Sequence, residues 1–123
     1  MNISNFTKPQ LQAFLDLLML AMYADGQLRS AEDERVERLF SAMGLAPGYD
    51  REREFDASVT RVRLHTQNAD ALRKHAVELA RRFSSSDQRR TVYDLLKDLM
   101  SADDQISTEE NRLLSALRQV FQL

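Results

Sequence analysis

The sequence has no cysteine, only three glycines and two prolines, and no long apolar run. Without cysteine there is no disulfide, no thiolate nucleophile and no sulfur-built zinc site, a composition at home in a reducing cytoplasm. With so little glycine there is no phosphate-cradling loop and little material for the turns of a β-rich fold. No apolar stretch approaches the ~20 residues of a membrane span. The opening Met1-Asn2-Ile3-Ser4-Asn5 has neither the basic start nor the apolar stretch of an export leader, so a cytoplasmic location without membrane insertion is expected. Neither charge sign dominates: 17 Lys and Arg face 19 Asp and Glu, a net −2. Such a balance exerts no global pull on nucleic acid or acidic lipid. His65 and His75 have no serine or acid at a telling spacing, and Ser84-Ser85-Ser86 lacks the glycines of a nucleophile elbow. The chain is therefore not expected to be an enzyme.

What is abundant is Leu, Ala, Glu, Arg and Gln, the vocabulary of helices. A chain of 123 residues is the length of one domain, 1–123. Thr7 can cap a first helix whose stripe is Leu11, Phe14, Leu15, Leu18 and Met22. Leu17, Met19 and Leu20 make that helix apolar on more than one side, so it should be the most buried, and it should stop at Asp25-Gly26. Ser30, with Asp33 three residues on, is placed to cap a second helix bearing Val36, Leu39, Phe40 and Met43 and closed by Gly44. Asp50 opens a third with a thin stripe, Phe55, Val59 and Val62, among Arg51, Arg53, Arg61, Arg63 and acids. Mixed charge of this kind predicts a solvated face. Asn68 or Asp70 opens a fourth. A serine cap precedes a fifth with Val92, Leu95, Leu96 and Leu99, ending at Ala102-Asp103. Ser107 with Glu110, or Thr108 with Asn111, caps a sixth. The expected fold is all-α, a bundle of about six helices.

One nine-residue pattern occurs twice. Ala24-Asp25-Gly26-Gln27-Leu28-Arg29-Ser30-Ala31-Glu32 returns 78 positions later as Ala102-Asp103-Asp104-Gln105-Ile106-Ser107-Thr108-Glu109-Glu110. Flanking residues repeat too: Leu17, Leu18 and Met22 match Leu95, Leu96 and Met100, and Val36 and Leu39 match Leu114 and Leu117. Each copy is a helix–loop–helix unit, and two related units usually pack about a pseudo-two-fold axis, which would bring the acidic loops near each other.

In each copy a carboxylate ends one helix and another sits in the first turn of the next. Asp25 with Glu32, and Asp103 with Glu110, can converge, with loop carbonyls between them. Oxygen-only donors suit a hard cation, Ca²⁺ or Mg²⁺ first, rather than zinc or copper. The loops are not EF-hands. Counted from Asp25, position twelve is Val36, and from Asp103 it is Leu114, so the bidentate glutamate is missing. The alternative is plainer: acids in first turns serve as caps favoured by the helix dipole, by ~0.3–1 kcal/mol each. The chain is then a metal-free adaptor whose charged third and fourth helices bind another protein.

The segment Leu-x-x-x-Met-x-Ala-Asp-Gly-x-Leu-x-x-x-Glu, Leu18 to Glu32, followed by Met43-Gly44-Leu45, resembles the tellurite-resistance TerB-like family, and Leu96 to Glu110 resembles that family's second motif. The resemblance implies an all-helical domain with an internal pseudo-symmetric repeat. It further implies acidic motif residues that bind a divalent metal, and a role in bacterial stress or resistance systems alongside protein partners. Carried onto this sequence, the metal candidates are Asp25, Glu32, Asp103 and Glu110, with Asp104 added where the family has glycine. The basic pairs Arg81-Arg82 and Arg89-Arg90 lack interleaved aromatics and read as solvated edge rather than nucleic-acid surface. The thin third helix offers an association face for a protein partner or a second copy of the chain.

Overall fold

The computed structural model describes residues 3, 5–24, 33–46, 48–101 and 106–123. Among them are six helices and no strand: α1 Lys8–Ala24, α2 Glu34–Ala42, α3 Tyr49–Arg63, α4 Ala69–Ala80, α5 Ser86–Met100 and α6 Thr108–Phe121. The fold is an all-α bundle, as the composition and periodicity indicate.

The helix α1 is the axis of the bundle, about 25 Å long at 1.5 Å per residue. Every residue from Ala13 to Met22 is buried. A helix that is apolar all round can be satisfied only by neighbours all round, and α1 packs against each of α2, α3, α4, α5 and α6. Its one buried acid is the price of that position. Asp16 is 1% exposed. Its carboxylate accepts from Arg61 Nε at 2.9 Å and Arg61 Nη2 at 2.8 Å, and from Ser58 Oγ at 2.5 Å. This two-point guanidinium fork satisfies a charge that would otherwise be costly in the interior.

That pair corrects the expectation for α3. Its arginines are not all solvated. Arg61 reaches across to α1, and Arg51 is buried, donating to the Leu45 carbonyl and to Ser41 Oγ at 3.1 Å while lying over the Phe40 ring. The thin apolar stripe sufficed because these polar side chains supply the rest of the contact. Only Arg53 and Arg63 face outwards as expected.

Helix ends follow local chemistry. Asn68 Oδ1 accepts from Ala71 N at 2.8 Å to start α4, and Ser85 Oγ from Gln88 N at 3.0 Å to start α5. Gly44, at φ +82°, ends α2 in a Schellman turn, with Leu45 N bonded to Phe40 O and Gly44 N to Ser41 O. The cap of α2 differs from expectation. Ser30 lies outside the described residues, as does the stop at Asp25-Gly26, and the described helix begins behind Asp33, whose carboxylate accepts from Arg35 N at 2.9 Å. The helix α3 starts one residue before Asp50, behind Gly48 at φ +131°.

The helices α1 and α5 start with like hydrogen bonds 78 positions apart. Thr7 Oγ1 accepts from Gln10 N, and its counterpart Ser85 accepts from Gln88 N. Gln10 and Gln88, 78 positions apart, then bond each other in both senses: Gln10 Nε2 to Gln88 Oε1 at 3.1 Å, and Gln88 Nε2 to Gln10 Oε1 at 3.3 Å. The first turns of α1 and α5 therefore meet. Beside them Phe6, Phe14, Phe83 and Phe121 form a run of tilted and edge-on aromatic contacts, with centroids 5.5–6.5 Å apart.

Candidate metal centre

Four of the five carboxylates singled out by the repeat, Asp25, Glu32, Asp103 and Asp104, lie outside the described residues. The fifth, Glu110, does not. It is the third residue of α6 and is 2% exposed. Its Oε1 accepts from the backbone N of Ser107 at 3.1 Å, while its own N–H donates to Ser107 Oγ at 3.1 Å. This reciprocal box satisfies two of the orphan donors at the start of α6. Glu110 and Arg35 also take part in interactions beyond those named above.

The ends flanking the two acidic segments come together in crossed pairs. Tyr23 and Ala24, the last residues of α1, line one cavity with Glu109, Arg112 and Leu113 of α6. Arg38 of α2 reaches Asp98 near the end of α5, Nη2 to Oδ2 at 3.0 Å. The start of the first segment thus neighbours the end of the second, and α2 lies alongside the last turn before the second.

Asp33 adds a charged lock next to the first segment. Its side chain accepts from Arg35 N, and from Arg35 Nε and Nη2, each at 3.2 Å. Burial pushes the Asp33 carboxyl upwards, but the hydrogen bonds and charge of Arg35 outweigh it, and the carboxyl sits below its ordinary 3.8. Asp33 is therefore ionised and spoken for at neutral pH. Among the described residues, no three His, Cys, Asp or Glu side chains cluster as a metal site.

The histidines form a feature that spacing did not reveal. His65, in the turn after α3, stacks on His75 of α4 with centroids 3.7 Å apart and planes 13° from parallel. Both ring nitrogens of His75 are buried without a hydrogen-bond partner among the described residues, and Glu78 Oε2 stands 3.7 Å from Nδ1. Burial, then the neighbouring His65, lowers the pKa of His75 below 6.5, against the opposing pull of Glu78 and Asp16. Stacked in this way the rings cannot share a metal ion, because an imidazole ligates in its own plane and two parallel planes 3.7 Å apart do not meet at one point.

This is the class of all-α domain in which one central helix is buried on all sides by the helices around it. The chain belongs to the family described as tellurite resistance protein TerB, whose model matches residues 11–123, nearly the whole length. No curated protein and no solved structure matches the chain. No described helix is long and apolar enough to cross a membrane.

Proposed function

We propose that the chain is a divalent-cation-binding regulatory or interaction module of a bacterial stress or resistance system, acting in the cytoplasm with a protein partner. The cation is Ca²⁺ or Mg²⁺, held by Asp25, Glu32, Asp103 and Glu110, with Asp104 in reserve. The supporting observation is the crossed pairing of helix ends. The residue before Asp25 and the residue before Glu110 line the same cavity, so the end of α1 neighbours the start of α6. The reciprocal Gln10–Gln88 contact supports an internal two-fold relation, because a residue bonds its own counterpart only near such an axis.

Carboxylates gathered at one point repel one another when no cation is bound, and that repulsion costs stability. A cation removes the cost. At a hundred times its dissociation constant it stabilises the fold by ~2.7 kcal/mol. The test is a thermal melt in chelator, then in millimolar Ca²⁺, Mg²⁺ or Mn²⁺. A rise in midpoint that disappears in Asp25→Asn with Asp103→Asn is the expected result. An unchanged midpoint with all three ions sinks the proposal.

One observation favours a second reading. Glu110 already has a complete structural role in its capping box. If its counterparts do likewise, the module is a metal-free adaptor that works through its charged α3 and α4.

A further inference from the structure

The cavity between the end of α1 and the starts of α4 and α6 has the chemistry of a small-molecule site in its own right. Its volume is about 260 Å³, room for roughly nine waters at ~30 Å³ each. Its floor is apolar: Tyr23 from α1, Leu72 from α4 and Leu113 from α6, the last two buried. Its rim carries charge of both signs. Glu109 and Arg112 stand one turn apart on α6, the spacing at which such residues ordinarily pair. Here both line the cavity and are exposed, and neither makes an ion pair or side-chain hydrogen bond among the described residues. The third charged lining residue, Arg73, is already engaged by Asp70 at 2.5 Å.

We propose that this cavity binds a free α-amino acid with an aliphatic side chain. An uncommitted guanidinium and an uncommitted carboxylate held apart over an apolar floor are complementary to a zwitterion. The ligand carboxylate meets Arg112, its ammonium meets Glu109, and its side chain fills the space over Tyr23, Leu72 and Leu113. A ligand with one charge would satisfy one rim group and leave the other facing its own sign. A residue the size of leucine, with about nine heavy atoms, suits the volume. The proposal goes beyond the cation reading and does not depend on it, since none of these six residues is a proposed cation ligand.

The test is a titration of the ¹⁵N-labelled full chain followed by NMR, with EDTA present so that the cation reading has no bearing on the outcome. The probes are L-leucine, 4-methylpentanoate, which lacks the ammonium, and 3-methylbutylamine, which lacks the carboxylate. L-leucine is expected to give saturable shifts at Tyr23, Ala24, Leu72 and Leu113, and each single-charge analogue to bind at least about tenfold more weakly. Arg112→Gln is expected to weaken leucine about tenfold, and Glu109→Gln to weaken leucine but not 4-methylpentanoate. Both positions are exposed, so both variants remain folded at the titration temperature, with Glu109→Gln giving up only the small dipole contribution of a first-turn acid. The proposal is overturned if leucine at tens of millimolar leaves those amides unmoved. Equal binding of the analogues, or undiminished binding by the folded Arg112→Gln protein, overturns it as well.

Discussion

Asp16 on α1 and Asp94 on α5 are the same residue at the same place in two copies of one pattern, and they live in opposite surroundings. Asp16 is buried and gripped by Arg61 and Ser58, whereas Asp94 faces solvent. The contrast runs along both helices. Met19 and Leu20 of α1 are wholly buried, and their counterparts on α5 are the exposed Lys97 and Asp98. On the other side the copies agree: Phe14, Leu18, Ala21 and Met22 answer to Val92, Leu96, Leu99 and Met100, all buried. A shared stripe gives both helices one packed face. What separates them is what lies behind that face. The helices α3 and α4 cover the back of α1, and water covers the back of α5.

The comparison can be broken most sharply at its extremes. Asp16→Ala removes the carboxylate that Arg61 and Ser58 both bond at the bundle's centre and is expected to cost ~3–5 kcal/mol. Asp94→Ala is expected to stay within about 0.5 kcal/mol of the parent. Urea unfolding of the two variants measures both, and similar losses would erase the distinction drawn here. On the shared stripe the copies should respond alike. Leu18→Ala and Leu96→Ala each open a cavity at a fully buried site and are expected to cost ~2–5 kcal/mol by the same measurement.

A smaller effect separates the buried side of α4 from its surface. The unfolded chain protonates His75 at its ordinary value of 6.5, and the folded chain only at lower pH. Between those two values the unfolded state holds the extra proton, so stability is fully present above pH 6.5 and falls as the pH drops towards the folded value. The urea midpoint should therefore decline from pH 7.5 to pH 5. The decline should be shallower in His75→Phe, which keeps the ring stacked on His65 but cannot titrate. The smallest effect is at the caps. Ser107→Ala removes one side of a half-buried box and is expected to cost ~1 kcal/mol, with Thr7→Ala, at an exposed start, costing less. Circular dichroism melts rank them, and the reverse order would mean that the Thr7–Gln10 box carries more than its exposure suggests.

Local signals were readable before any coordinates. Six helices and the closing Gly44 follow from chemistry within four or five residues, and so do caps narrowed to Asn68 or Asp70, one residue of Ser84-Ser85-Ser86-Asp87, and Ser107 or Thr108, of which the structure uses Asn68, Ser85 and Ser107. The all-round burial of α1 was legible in Leu17, Met19 and Leu20. What spacing could not supply was partnership across the chain. Arg61 looked like one of four solvated arginines because its acid stands 45 positions away. His65 and His75 looked isolated because a stack of two rings depends on how the turn between α3 and α4 closes. Of the candidate site, the pattern of acids was plain in the repeat. The structure adds that the end of α1 shares a cavity with the start of α6 and that α2 bonds α5 through Arg38 and Asp98, while the acidic segments between them lie outside the described residues.

The helix that every other helix touches is also the first to be made. While α1 leaves the ribosome, most of the surface destined to cover Phe14 through Met22 has yet to be translated, and the last of it arrives only with α6. Its greasy sides must therefore wait for the whole chain, so the element that finishes as the safest part of the molecule begins as its most vulnerable, and nascent chains stopped before α6 are the ones that chaperones and proteases should meet.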